Sequence, residues 1–190
     1  MMPLIRHTAM LFLGCLVGSS MPRNAAAEHH EGAKEGASRL LGAWRLIAVE
    51  YSGPHGETVD PYYQPGSTGV IIYDASGWMS VQIGAPHRRA WTMAEVRVPA
   101  VAGNDEGLKA EAFDTYYAYY GTWQYDPASL VVTHHLESSM IPAEAGLSYP
   151  QSVTFDAGRL IFTVRSGTSE RQTVRKKVWE RLPALSGRGG

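Results

Sequence analysis

The sequence predicts a single all-β domain in the form of an eight-stranded antiparallel barrel. At 190 residues and 44% hydrophobic content, the chain is long enough for one substantial core. Between Gly42 and Leu182, eight short runs have the residue pattern of strands, and most joins after the third are tight Asp/Gly/Pro turns. About eight antiparallel strands can close around side chains or one small ligand. We therefore expect a barrel with an internal cavity.

The first half of the domain combines three strands with a helical insertion. Strands are predicted at Trp44–Tyr51, Thr68–Tyr73 and Trp78–Ile83. The strand pattern then lapses from Gly84 to Gly107, and Leu108–Tyr119 has apolar residues at helical spacing. We expect a long loop and a short helix between strands three and four, either as a lid over one barrel mouth or as a surface helix that plugs the barrel end.

The second half of the domain is predicted to contain the other five strands. They are Tyr120–Tyr125, Leu130–Glu137, Ser152–Asp156, Leu160–Arg165 and Thr173–Leu182. The domain is therefore expected to span residues 40–182. Residues 183–190 are small and polar and are expected to form a disordered tail.

The N-terminal residues have the pattern of a secretory signal. One basic residue, Arg6, precedes an apolar stretch over residues 9–17, and small residues follow as far as Ala27. The apolar stretch is much shorter than the roughly 20 residues that cross a bilayer, so cleavage is favoured over a retained anchor. Residues 1–27 are predicted to be a signal peptide and residues 28–39 a flexible leader. The mature protein is then secreted or periplasmic, with no integral membrane segment.

Composition excludes several classes of function. With 17 Lys and Arg against 18 Asp and Glu, the net charge is −1, and nucleic acid is not an expected partner. The basic run Arg175-Lys176-Lys177 is interpreted as the solvated face of a strand. A Gly-x-Ser-x-Gly elbow, a Gly-rich phosphate loop and paired cysteines are all missing from the sequence. We expect no cofactor, and the oligomeric state is left open.

Several segments, in order, resemble the lipocalin-like domain family of small bacterial and fungal proteins. They are Leu41-Gly42-Ala43-Trp44-Arg45-Leu46, Thr68-Gly69 with Tyr73, Gly77-Trp78-Met79-Ser80-Val81-Gln82-Ile83, Ala118-Tyr119-Tyr120-Gly121-Thr122-Trp123, the run from Val132 to Ser139, and Val178-Trp179-Glu180-Arg181. The resemblance implies a lipocalin-type barrel around a pocket, with Trp44 closing the bottom and Arg181 packing on it. It implies no agreed activity, and the secretory leader departs from the typical short member.

His134 is the main candidate for chemistry inside the barrel. Alternation along strand five places it with Leu130, Val132 and Leu136 on the more apolar face, which should point inward. Burial there favours a neutral ring that can orient a ligand or move a proton, or that is held by a neighbouring Tyr or backbone group.

The other face of the same strand carries His135 and Glu137. They could form an acid/base dyad, or two ligands of a metal with His87 as a third, or they could be solvated on an outward face. A register error of one residue would exchange the roles of the two faces.

The candidate ligand-binding residues combine aromatic and neutral polar side chains. Ser80 and Gln82 could fix a carbonyl or hydroxyl group, if their face of strand three points inward. Tyrosines near strand four could line a pocket mouth or belong to the core. The full candidate set is Trp44, Tyr73, Ser80, Gln82, Tyr116, Tyr120 and His134.

We expect an exported protein that binds a small, largely hydrophobic molecule. The alternative is a cofactor-free isomerase or cyclase that uses His134, or His135 with Glu137, for proton transfer.

Overall fold

Eight antiparallel strands close into a barrel, as predicted. The computed structural model describes residues 36–53, 61–93, 105–168 and 172–184. Each strand pairs with the next, and the last strand pairs with the first to close the sheet. The strands are β1 (Gly42–Ser52), β2 (Thr68–Tyr73), β3 (Trp78–Gly84), β4 (Tyr116–Asp126), β5 (Val131–Ser139), β6 (Ser148–Asp156), β7 (Arg159–Ser166) and β8 (Thr173–Arg181). The predicted signal peptide and most of the predicted leader lie outside the described residues.

A helix, α1 (Asp105–Asp114), lies between β3 and β4, where the insertion was predicted. It ends earlier than the sequence suggests, because Tyr116, Tyr117 and Tyr119 belong to β4 and pair with β3. Aromatic side chains favour strands, and this pairing outweighs the helical spacing. Short 3-10 turns at Pro61–Tyr63 and Pro142–Glu144 lie in two other connections. Among the described residues, no helix has the length and apolarity needed to cross a membrane.

One end of the barrel is closed by a helical segment at residues 36–40. Leu40 is fully buried, and its carbonyl oxygen accepts a 2.8 Å hydrogen bond from Nε1 of Trp44. The Arg39 guanidinium lies 4.0 Å above the centre of the Phe155 ring. The cap therefore includes residues that the sequence assigns to the leader.

Arg181 fastens this cap to the barrel. Its guanidinium carbon lies 4.1 Å from the centre of the Trp44 ring, and its nitrogens donate hydrogen bonds to the carbonyl oxygens of Arg39 and Leu41. Stacking of a guanidinium on an aromatic face is a favourable cation–π arrangement. This is the Trp and Arg packing that the family resemblance implies for the bottom of the barrel.

Inward-facing side chains fill the barrel above this cap. The largest of the fully buried side chains are Trp44, Trp179, Tyr73, Phe162, Leu40, Ile71, Ile83 and Leu160. Alternation along β5 places Val132, His134 and Leu136 inside, as predicted. Leu130 was expected on the same inward face, but it lies in the turn before β5 with a φ of 53° and is 51% exposed. The left-handed backbone at this turn takes Leu130 out of the strand alternation.

Gly121 allows an unusually close approach between β4 and β5. The register between these strands shifts at Tyr120 and Gly121. A Cβ atom at Gly121 would lie 1.9 Å from the carbonyl oxygen of His135 and 2.9 Å from the backbone nitrogen of Glu137. No side chain fits at such distances, so glycine is required for this register, which sets how β5 faces the interior.

We expect Gly121→Ala to lower the free energy of unfolding by on the order of 2 kcal/mol or more, because two backbone segments must separate to admit the methyl group. The measurement is urea denaturation followed by tryptophan fluorescence. Thr122→Ala, at the exposed neighbouring position, is the matched control and should cost no more than about 1 kcal/mol. Equal losses in the two variants would contradict the role assigned to Gly121.

Candidate functional site

His134 lies in the interior of the barrel and exposes none of its surface to solvent. Its imidazole is surrounded by the rings of Tyr73, Tyr119 and Phe162, with ring centres 5.6 to 6.1 Å from its own. An imidazole has two polar nitrogens, so burial at this depth requires hydrogen-bond partners within the protein.

Both imidazole nitrogens have such partners. Nε2 lies 2.6 Å from the hydroxyl oxygen of Tyr73. Nδ1 lies 2.9 Å from the hydroxyl oxygen of Tyr119 and 3.1 Å from Nε2 of Gln151. Gln151 in turn accepts a 2.6 Å hydrogen bond at Oε1 from Nζ of Lys177. We call Lys177, Gln151, His134, Tyr73 and Tyr119 the buried polar chain.

Lys177, when charged, sets the direction of these hydrogen bonds. An ammonium group can only donate, so Oε1 of Gln151 must accept and the amide nitrogen of Gln151 must face His134. The amide nitrogen also donates, which makes Nδ1 of His134 an acceptor and assigns the imidazole proton to Nε2. Nε2 then donates to the hydroxyl oxygen of Tyr73.

Burial lowers the pKa values of His134 and Lys177, the two basic groups of the buried polar chain. Loss of solvation, together with smaller contributions from Lys177 and His135, lowers the pKa of His134 to about 3. Loss of solvation also lowers the pKa of Lys177 to about 7, with a second contribution from Arg175. The hydroxyls of Tyr73 and Tyr119 have pKa values raised well above the ordinary value by burial. At neutral pH, His134 is therefore uncharged.

A cavity of about 200 Å³ opens at the end of the barrel opposite the Trp44 cap. We call it the mouth cavity. Its lining residues are Tyr62, Tyr63, Tyr117, Tyr119, Glu144, Tyr149, Pro150, Gln151, Val164, Arg175 and Lys177. Tyr62 and Tyr117 are stacked, with ring centres 4.7 Å apart and planes 13° apart. The described lining contains no residue of α1; the 3-10 turn between β1 and β2 contributes Tyr62 and Tyr63 instead.

Charged side chains occupy two parts of the mouth cavity. Oε2 of Glu144 accepts hydrogen bonds from the hydroxyls of Tyr117, at 2.8 Å, and Ser139, at 2.6 Å. Arg175 and Lys177, both on β8, approach the face of Tyr63, with cation-to-centre distances of 4.2 and 5.3 Å. The acidic group is thus held by hydroxyls, and the basic groups lie along β8.

His135 and Glu137 do not join this site. They lie on the outward face of β5, where Glu137 is exposed and Nδ1 of His135 lies 2.8 Å from the hydroxyl oxygen of Ser148. The described residues contain no group of three His, Cys, Asp or Glu side chains arranged to hold a metal. Of the alternatives predicted for His135 and Glu137, the structure has the outward-facing position.

Four of the predicted ligand-binding residues lie on the outer surface of the barrel. Ser80 and Gln82 are on the outward face of β3, whose Met79, Val81 and Ile83 are buried instead. Tyr116 donates a 2.9 Å hydrogen bond to Oε1 of Gln82, and Tyr120 is 47% exposed. The apolar residues of β3 occupy the interior because burial of their side chains is more favourable than burial of Ser and Gln.

Trp44 and Tyr73, also predicted as ligand-binding residues, lie inside the barrel but outside the lining of the mouth cavity. Trp44 closes the opposite end, and Tyr73 contacts His134 and the Trp123 ring. Both therefore belong to the filled part of the interior, below the space that a ligand could enter.

Sequence analysis missed Lys177 and Gln151. The run Arg175-Lys176-Lys177 was interpreted as a solvated face, but Lys177 is only 4% exposed and Arg175 is half-buried. The structure corrects this interpretation, since only Lys176 is fully on the outside. A signal was present, because strand alternation places Thr173, Arg175 and Lys177 on the same face as Trp179, and a large aromatic side chain is usually buried.

The sequence model of a known family, described as the lipocalin-like domain, matches residues 41–182. The chain belongs to this family. The match spans the whole barrel from the Trp44 cap to the end of β8, so the described structure is that of a lipocalin-like domain. No curated protein matches the sequence significantly. Lipocalin-type barrels are known to hold one small ligand, which agrees with the presence of the mouth cavity.

We expect His134→Leu to destabilise this lipocalin-like barrel by about 2–4 kcal/mol, because Tyr73, Gln151 and Tyr119 would lose their shared partner inside the barrel. His135→Leu, the same exchange one residue along on the outward face, is the control and should cost about 1 kcal/mol or less. Chemical denaturation measures both. Similar losses in the two variants would show that the buried polar chain adds little to stability.

The lowered pKa of Lys177 predicts a pH dependence of stability. An unfolded lysine keeps its proton up to its ordinary pKa of 10.5, whereas folded Lys177 releases it at about 7. Between these values the unfolded state holds the additional proton, so rising pH favours the folded state, by up to about 1.4 kcal/mol per pH unit. The free energy of unfolding of the wild type, minus that of Lys177→Met, should therefore increase from pH 7 to pH 9.5. The free energy of unfolding of Lys176→Met should depend on pH as that of the wild type does. If the difference between the wild type and Lys177→Met does not change with pH, the lowered pKa of Lys177 is refuted.

Proposed function

We propose that this lipocalin-like protein is a carrier that binds a small, flat, largely apolar molecule in the mouth cavity. The observation that supports this is the position of the empty space. Among the described residues, buried side chains fill the barrel from the Trp44 cap to His134, and the mouth cavity leaves about 200 Å³ open at the other end. A core packed to normal density leaves few voids, so a cavity of this size with aromatic walls favours a binding role.

The dimensions and walls of the mouth cavity support a ligand with one aromatic ring or two fused rings. Pockets for drug-sized ligands are typically about 300–1,000 Å³, which is larger than this cavity. Below the cavity, the described interior is occupied by buried side chains, which favours a short ligand over a long acyl chain. Tyr62, Tyr63 and Tyr117 provide rigid aromatic surfaces in the cavity wall, and such surfaces stack well on planar molecules.

We further propose that the carrier is exported. The support comes from residues 1–27, with Arg6, the apolar stretch and the Ala25-Ala26-Ala27 motif of a signal peptide. Export to the cell exterior or to the periplasm would place the barrel where it can take up a ligand outside the cytoplasm.

The geometry of the described residues does not favour the alternative of a proton-transfer enzyme. His134 is absent from the cavity lining, and its two nitrogens are engaged by Tyr73, Tyr119 and Gln151. Among the described residues, Tyr119 and Gln151 stand between the imidazole of His134 and the cavity. His135 and Glu137 face away from the cavity.

Titration with N-phenyl-1-naphthylamine, a neutral dye whose fluorescence rises in apolar sites, tests the carrier proposal. The wild type should bind it saturably with one site per chain. Val164→Trp places a bulky side chain in the mouth cavity and should weaken binding at least tenfold, on the order of 1.4 kcal/mol.

Thr163→Trp is the matched control, because Thr163 precedes Val164 on β7 and faces outward. It should bind like the wild type. If the melting temperature of Val164→Trp is far below that of the wild type, the dye titration is carried out with Val164→Phe instead. Saturable binding that is unchanged in the Val164 variant, or absent from the wild type, would overturn the proposal.

A further inference from the structure

Lys177 places a basic group at the floor of the mouth cavity without a carboxylate partner among the described residues. Its side chain is 4% exposed and lines the cavity. Its Nζ donates to Oε1 of Gln151, and its other neighbours include the rings of Tyr63 and Phe162, with centres at 5.3 and 5.7 Å. An ammonium has three protons to donate, so one neutral acceptor satisfies it only in part.

Among the described residues, the charged groups around Lys177 do not supply a counter-ion. Arg175, two residues earlier on β8, adds a second positive group to the same side of the cavity. His134, reached through Gln151, is uncharged, and the buried Tyr119 keeps its proton. Glu144 is the one carboxylate in the described lining, and its Oε2 is held by Tyr117 and Ser139. In the described lining, Lys177 therefore has no carboxylate beside it.

A buried ammonium without a counter-ion is costly, because removal from water is not repaid by a nearby negative charge. An anionic group that enters the cavity would supply that charge and accept the remaining protons of the ammonium. Charge-assisted hydrogen bonds of this kind are about twice as strong as neutral ones. The same cost therefore favours an acidic ligand over a neutral ligand of equal shape.

We propose that the ligand is a small aromatic acid whose carboxylate or sulfonate pairs with Lys177. Its ring lies among the tyrosines that line the mouth cavity. This inference rests on the proposed carrier function and adds the chemical class of the ligand. It also assigns Lys177 as the residue that selects an acid over its neutral counterpart.

The pairing couples binding to protonation. Free Lys177 loses its proton near pH 7, and a bound anion stabilises the charged form. Binding above pH 7 therefore takes up a proton, and the affinity for the acid falls as pH rises from 7 to 9. The other ionisable groups in the described lining are Arg175, Glu144 and the tyrosines at positions 62, 63, 117, 119 and 149. Tyr119 and His134, which is reached through Gln151, remain neutral over this pH range.

Isothermal titration with 2-naphthoate and 2-naphthamide tests the inference. The two probes share their ring and nearly their shape, and only the acid is charged. At pH 7 the wild type should bind the acid at least tenfold more tightly than the amide. In Lys177→Met this preference should disappear while the amide still binds, and Lys176→Met, whose side chain is outside, should keep the preference.

A second measurement uses only the wild type, so it stands even if Lys177→Met fails to fold. At pH 8, the binding enthalpy of 2-naphthoate should depend on the ionisation enthalpy of the buffer as expected for proton uptake, whereas that of 2-naphthamide should not. Equal dependence for the two probes would count against the pairing.

The outcomes separate the two proposals. If the wild type binds both probes equally, the acid inference falls and the carrier function stands. If neither probe binds and the naphthylamine dye does not bind either, the carrier function itself fails. If Lys177→Met folds and still prefers the acid, the carboxylate lies elsewhere in the cavity and the role of Lys177 is refuted.

Discussion

The buried polar chain is the constraint on which the interior of this barrel depends. Lys177, Gln151, His134 and Tyr73 come from β8, β6, β5 and β2, and no two of them are neighbours in sequence. Each loses water on burial and regains a partner only when the sheet closes and brings these strands to face one another. The buried polar chain therefore couples burial of the core to closure of the barrel. It also lies at the boundary between the filled interior and the mouth cavity.

The two ends of the barrel use aromatic side chains differently. At the closed end, Trp44 is sealed between residues 36–40 and the guanidinium of Arg181. Nε1 of Trp44 and both terminal nitrogens of that guanidinium donate to backbone carbonyls. At the open end, the stacked rings of Tyr62 and Tyr117 belong to the wall of the mouth cavity. Among the described residues, the barrel thus has a sealed end and an end with a cavity, which supports the proposal of a small ligand.

The site was only partly predictable because strand alternation shows which face a residue shares, not which residue it meets across the barrel. Alternation placed His134 inside, but its partners Tyr73 and Gln151 lie 61 and 17 residues away in sequence. The face of β3 opposite Ser80 and Gln82 is the more apolar one, and apolarity rather than hydrogen-bonding capacity decides which face is buried. Lys177 is buried although lysine is usually exposed, because it shares an inward face of β8 with Trp179.

The sequence by itself determined the closed eight-stranded barrel, the helical insertion and the inward position of His134, because periodicity and turn residues act locally. It also carried the family resemblance and the Trp44 and Arg181 contact which that resemblance implies. Only the tertiary structure decided that β4 begins at Tyr116, that the cavity lies at one end, and that Lys177 is buried at its floor. These features depend on strand pairing and on contacts across the closed sheet, which local patterns do not encode.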